Sequence, residues 1–243
     1  MAPVLALEVP RTAAPLRQQV EGVLRRAIID GRLAPLRRLT ERELMEMTGV
    51  SRTLVREALR QLESDGLIAV VPNKGAIVRE LTIAEGTELY AIRGVLEGLA
   101  ARLFVDHASE EKLAELVRVT ETVIDAYHRD DHRRVLETKN RLYDVLAEGA
   151  GSETLSAMLN GLRARIWRWR ALGITHPQRA PQRAREAVRD LRNVCAALRR
   201  RDADAAERAA RDQASHGAAS ALRLLAAAED GTAHEGRRKQ GAK

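Results

Sequence analysis

The run from Thr40 to Arg60, TERELMEMTGVSRTLVREALR, constrains this chain most. It carries the starts of two helices and the stop between them. Thr40 is placed to cap a first helix, and Glu43, three residues on, completes the pattern of a capping box. Gly49 supplies the left-handed residue on which a helix commonly ends. Ser51 is placed to cap a second helix, with Val50 and Val55 at the spacing of a hydrophobic staple. In that second helix Val55, Ala58, Leu59 and Leu62 recur on one face. Arg52, Thr53, Arg56 and Arg60 form a cationic flank beside them. A helix anchored by an apolar stripe and basic on its free side suits the DNA major groove, where arginine contacts guanine edges or phosphate at two points. Amphipathicity alone would favour a surface helix with solvated arginines. The order of cap, stop, cap and stripe narrows the reading to a helix-turn-helix.

The flanking residues extend it. Leu16, Val20, Val23, Leu24, Ala27 and Ile28 make a helical stripe that ends near Gly31 and would pack on the two helices. After the second helix, Leu67–Val71 and Ala76–Val78 are β-rich runs around Pro72-Asn73-Lys74-Gly75, a turn-forming tetrapeptide. Alone this would be an ordinary hairpin; its position directly after a helix-turn-helix favours a wing. Lys74 at its tip can reach phosphate or the minor groove, and Gly75 lets the backbone approach closely.

Three runs, LRQQVEGVLRRAIIDGRL, LTERELMEMTGVSRTLVREALRQLESDGLI and VVPNKGAIV, resemble the winged helix-turn-helix domain of the GntR family of bacterial transcription regulators. The resemblance covers roughly Pro15 to Leu81, and SRTLVREALR is close to the family's most characteristic run. It implies double-stranded DNA as partner and Arg42, Ser51, Arg52, Thr53, Arg56, Lys74 and Gly75 as the DNA-binding residues. One winged helix covers only a short half-site, so a homodimer on a near-palindromic operator is expected. One departure stands out: Leu36-Arg37-Arg38 follows Pro35 where the family usually has a glycine.

Composition bears on the rest. Hydrophobic residues make up 45% of the 243 positions and aromatics 2%. The apolar residues are mostly Ala, Leu and Val, which favours close-packed helices over a β-sandwich. The net charge of +7 is compatible with a nucleic-acid partner. A single cysteine, Cys195, allows no internal disulfide and fits a reducing cytoplasm. No apolar run approaches the roughly 18 residues of a membrane helix, and the first residues lack the pattern of a signal peptide. The expectation is a cytoplasmic protein without membrane association.

From Thr82 onward the pattern is helical, with helices expected near 83–106, 110–129, 132–148, 153–171, 179–200 and 203–228. The fold class is therefore mainly α: a winged helix-turn-helix with a small β wing, then an all-α six-helix bundle. The expected divisions are a flexible arm at 1–14, a DNA-binding domain at 15–81, a helical effector-binding and dimerisation domain at 82–229, and a disordered tail at 230–243. LYAIRGVLEGLAARL, NRLYDVLAEGAGSETL and LRNVCAALRRRDADAAERAARDQ resemble the FCD domain of the FadR subfamily. That domain holds small organic acids, often on a metal bound by an Asp or Asn and three histidines. By motif these positions fall on Asn140, Asp144, Leu191 and Gln213. No histidine survives, leucine offers no lone pair, and amide oxygens are weak partners for a transition metal. The resemblance implies an effector site at Asn140, Asp144 and Gln213, and the departures from its ligand set lead to the expectation of no metal and no cofactor there. His216, three residues after Gln213, is the one candidate to replace a lost ligand. A buried Asp144 would need a cationic or hydrogen-bonding partner.

Other features carry two readings. Arg93 and Glu97 form an i,i+4 pair; it is structural, or Arg93 reaches the effector cavity. The arginine-rich run from Arg163 to Arg201 is a second nucleic-acid surface, an anion pocket, or mostly solvated helix faces, the last being favoured. His128 and His132 have zinc-binding spacing, but HRDDHRR lacks the glutamate of a metalloprotease and reads as a solvated junction. No phosphate loop, nucleophile elbow or triad is present, so no enzyme is expected. The chain reads as a DNA-binding transcriptional regulator, by family tendency a repressor released by an organic-acid-like effector. The alternatives are a regulator whose second domain only dimerises, or a metal-dependent helical hydrolase.

Overall fold

The structure, a computed structural model, describes residues 16–29, 32–175 and 182–240. The expected arm at 1–14 lies outside them. The chain divides into two compact units, residues 1–80 and 81–243.

In the first unit α1 (Leu16–Ile29), β1 (Arg38–Leu39), α2 (Glu41–Thr48), α3 (Arg52–Ser64), β2 (Ile68–Val71) and β3 (Gly75–Val78) follow in order. α1 and α2 both pack on α3. The stripe Val55, Ala58, Leu59 and Leu62 is buried, with Val20, Leu24, Ala27 and Leu44. Leu16 and Val23 of the α1 stripe stay exposed. Arg25, paired with Glu21 of its own helix at 2.6 Å, ties α1 to the end of α3 through Asp65. The sheet is antiparallel in the order β1-β3-β2, with Arg38 opposite Ile77 and Val71 opposite Gly75. β1 was not foreseen; two residues are too few to show an alternation.

The departure after Pro35 has a structural counterpart. Leu36 has φ +61°, a left-handed conformation. That costs a residue with a Cβ about 1–2 kcal/mol, whereas glycine adopts it freely. The loop is held by Leu36 N–H donating to the Val78 carbonyl at 2.9 Å and Val78 N–H donating to that of Arg37 at 3.0 Å.

The second unit holds α4 (Ile83–His107), α5 (Glu110–His128), α6 (His132–Gly149), α7 (Glu153–Thr175), α8 (Gln182–Arg199) and α9 (Ala203–Gln240). α4 contacts α6, α7, α8 and α9. Its start is fixed by a full capping box: Glu85 N–H donates to Thr82 Oγ1 at 3.2 Å, and Thr82 N–H donates to the Glu85 carboxylate at 3.0 Å. Phe104, Leu116, Val123, Val145 and Leu198 anchor the core. Gly149 ends α6 against the Phe104 ring, so close that an added Cβ would lie 2.3 Å from it.

Two boundaries differ from those expected. α7 continues through Gly173 to Thr175; an interior glycine costs only about 1 kcal/mol, which the burial of Ile174 offsets. α9 runs to Gln240, through most of the segment 230–243 read as a disordered tail. Its Ala, Glu and Arg content favours helix locally. His128 and His132 fall on different helices, with Asp130 at φ +53° between them. They do not share a helix face.

Candidate DNA-binding surface and effector cavity

The helix pair α2–α3 is set by local chemistry. Glu43 N–H donates to Thr40 Oγ1 at 3.2 Å. The return half of that capping box gives way to an ion pair, for the Glu43 carboxylate is held by Arg37. Gly49 takes φ +69° and its N–H donates to the Met45 carbonyl at 2.8 Å. Leu54 N–H donates to Ser51 Oγ at 3.5 Å, a long cap. With the apolar stripe facing inward, Ser51, Arg52, Thr53, Arg56 and Arg60 are left exposed. Arg42 is exposed on α2 beside Glu46, 3.9 Å away. Lys74 and Gly75 are exposed at the hairpin, where Lys74 N–H donates to the Val71 carbonyl at 3.0 Å. The surface also has an anionic member that sequence reasoning missed. Glu41 lies 3.5 Å from Arg52 Nε and 2.5 Å from Arg56 Nε. It stands fifteen positions from Arg56 and on another helix, so no periodicity links them.

The second unit contains a cavity lined from α4 to α9. Its polar lining includes Arg93, Lys139, Tyr143, Arg170, Arg183 and Gln213, with Tyr90, Tyr127 and Trp169 among the ring systems. Arg93 and Glu97, both buried, make the foreseen i,i+4 pair through bonds of 2.8 and 3.1 Å. Arg93 also donates to the Tyr143 hydroxyl at 2.8 Å, so it is both structural and cavity-lining. Tyr143 is the centre of the site. Arg93, Lys139, Arg163 and Arg170 each place their charge 4.9–5.9 Å from its ring centroid, within the range of cation–π attraction. Burial pushes the Tyr143 phenol up most, but the charges of Lys139, Arg93 and Arg170 together hold its pKa below the ordinary tyrosine value. Burial instead raises Tyr90.

The four sequence-derived effector residues divide. Arg93 and Gln213 line the cavity; Asn140 and Asp144 are not among its lining residues. They sit one position along α6 from Lys139 and Tyr143, which are, and neighbouring helix residues diverge by about 100°. Asp144 is 46% exposed and bonded to Arg163 Nη1 at 3.0 Å. The expectation of a buried Asp144 is thereby corrected: water and a guanidinium both reach it. Leu191 is core. His216 Nδ1 lies 3.0 Å from the buried carboxylate of Asp190. Among the described residues no three His, Cys, Asp or Glu side chains converge as a metal site. The donor set therefore does not fit the metal that the domain type commonly binds. Arg163, Arg170 and Arg183 are buried, so part of the arginine-rich run turns inward instead of solvating. Within RARIWRWR, helical spacing alone could not say which arginines.

A capped helix with an exposed arginine flank, a hairpin wing and a helical unit around a polar cavity define a DNA-binding transcriptional regulator. Residues 16–78 match the family described as bacterial regulatory proteins, gntR family, and residues 88–215 match the FCD domain. The chain belongs to the GntR family and carries an FCD domain. It is 29% identical over 194 residues to the uncharacterized HTH-type transcriptional regulator YdhC of Bacillus subtilis, across 79% of this chain and 85% of that one. With the HTH-type transcriptional regulator McbR of Escherichia coli it shares 30% over 190 residues, 77% and 84% of the two chains. The solved structure of E. coli McbR/YncC superposes with a TM-score of 0.76 at 25% identity, covering 88% of this chain and all of that one. These relatives are regulators and not enzymes. No helix among the described residues is long and apolar enough to cross a membrane.

Proposed function

We propose that the chain is a homodimeric, effector-controlled repressor that binds a near-palindromic operator. Residues 15–81 read the DNA, and residues 82–229 dimerise and hold a small organic-acid-like effector. The observation that carries this reading is the free flank of α3. Arg52, Thr53 and Arg56 face solvent while the opposite stripe is buried, the geometry a recognition helix needs. Ser51, Arg42, Lys74 and Gly75 complete the contact set, the last two as the wing tip. Repression is supported by the printed description of a 28% identical relative, the HTH-type transcriptional repressor RspR of E. coli. Self-association is supported by α4, where Ile92, Val95 and Leu99 are 45%, 52% and 40% exposed along one face; a contiguous apolar strip of this kind marks an interface.

Gel-shift assays on the DNA upstream of its own coding sequence test the reading, at fixed salt and against scrambled competitor. Specific retention that weakens when Arg52 becomes alanine is expected. Binding without sequence preference would refute it. Sedimentation of Val95→Arg tests the dimer: the variant should be monomeric at micromolar concentration where the parent is a dimer, and a parent that is itself monomeric with and without DNA would refute that part.

A further inference from the structure

The cavity of the second unit collects more cations than anions. Arg93, Lys139, Arg170 and Arg183 line it, and all four are buried. Glu97 is engaged by Arg93 through two hydrogen bonds. Glu186 and Asp190 lie 3.5 and 3.7 Å from Arg183 Nη1, close enough for ion pairing, yet that atom makes no hydrogen bond. Asp190 has His216 as a second partner. Among the described residues no carboxylate pairs with Lys139 or Arg170; Lys139 Nζ faces the rings of Tyr127 and Tyr143, and Arg170 those of Tyr143 and Trp167. Glu97, already held by Arg93, is the carboxylate whose field reaches Arg170, so among the described residues neither Lys139 nor Arg170 has a carboxylate of its own.

The donors show the same deficit. Both Nη atoms of Arg170, Nη1 of Arg183 and Nε2 of Gln213 are buried without a hydrogen-bond partner, and all three residues line the one cavity. Buried donors in folded proteins are almost always bonded, because leaving them dry is costly. Burial also depresses the Arg170 guanidinium pKa. The free space is about 40 Å³, room for about three waters or a compact ion.

We infer that this cavity is a metal-independent site for a compact dianion, a small dicarboxylate or a phosphoryl group, held by Arg170 and Arg183 with Lys139 and Gln213. Guanidinium forks match the paired oxygens of either ligand, and two negative charges balance Lys139 and Arg170. The inference rests on the effector reading above and names the effector's class.

The full-length chain, purified with chelator, is melted at matched ionic strength in chloride, acetate, malonate or inorganic phosphate. Malonate or phosphate should raise the melting temperature and bind at least about tenfold tighter than acetate. A response to malonate alone marks a dicarboxylate site, and one to phosphate alone a phosphoryl site; either supports the inference. Arg170→Met and Lys139→Met should melt no lower than the parent without ligand, since each removes an uncompensated buried cation, and each should lose the anion response. The inference is overturned if neither dianion binds better than acetate, if the response survives in Arg170→Met, or if both variants melt lower without ligand, as structural cations would. Gel shifts on the same preparation keep the two readings apart. Retained operator binding without an anion response sinks this inference alone; lost operator binding sinks the regulator reading.

Discussion

Replacing Glu97 by glutamine tests the buried electrostatics of the second unit most sharply. The Arg93–Glu97 pair is two-pronged, at 2.8 and 3.1 Å, and both side chains are at most 4% exposed. Removing one charge leaves Arg93 in a cluster that already holds Lys139 and Arg170. Breaking a buried pair from one side costs about 3–5 kcal/mol, because the remaining charge keeps its desolvation penalty. Replacing both partners by apolar residues of similar volume removes that penalty and is often neutral or stabilising. Glu97→Gln should therefore cost about 4 kcal/mol, and the Arg93→Met/Glu97→Met pair much less. The two tryptophans, Trp167 and Trp169, both lie on α7, so their fluorescence reports the second unit during urea unfolding. With a urea slope of about 2 kcal/mol per molar, the midpoint should fall by about 2 M in the single variant. A single variant within about 1 kcal/mol of the parent, or a double variant less stable than the single, would refute the reasoning.

The remaining predictions concern DNA, packing and titration. Arg52→Ala should cost about 1–3 kcal/mol of specific operator binding if its fork meets a base, measured by titration at fixed salt; unchanged affinity counts against that contact. Glu41→Gln frees Arg52 and Arg56 from their internal counter-ion. Its affinity for non-cognate DNA should rise, with the salt slope steepening by about one, and an unchanged slope would show that Glu41 does not compete with phosphate. Gly149→Ala forces a methyl into the Phe104 ring and should lower second-unit stability by about 1–3 kcal/mol, read by the same fluorescence melt. In an ultraviolet titration Tyr143 should ionise before Tyr90, because cations lower the first and burial raises the second. The sign follows directly: a depressed phenol pKa adds stability above the ordinary tyrosine value that is lost as pH falls through the folded one. Tyr143→Phe should remove the step that lies below the ordinary tyrosine value, and retention of that step would contradict the assignment.

The sequence by itself determined the α2–α3 element almost completely. Caps, a glycine stop and a 3.6-residue stripe are local signals, and Thr40, Gly49, Ser51 and the buried Val55–Leu62 face act as local chemistry requires. The succession of second-unit helices was legible for the same reason. Tertiary structure alone decided the pairings between residues of different elements and loops: Arg37 taking Glu43 out of its capping box, Glu41 bridging two arginines of α3, Arg163 meeting Asp144. It also decided which face of α6 turns inward, putting Lys139 and Tyr143 in the cavity lining in place of Asn140 and Asp144. A motif fixes the order of residues along a helix. The rotation of that helix is set by the packing of its neighbours, and one residue's step of about 100° separates a cavity wall from a half-exposed flank.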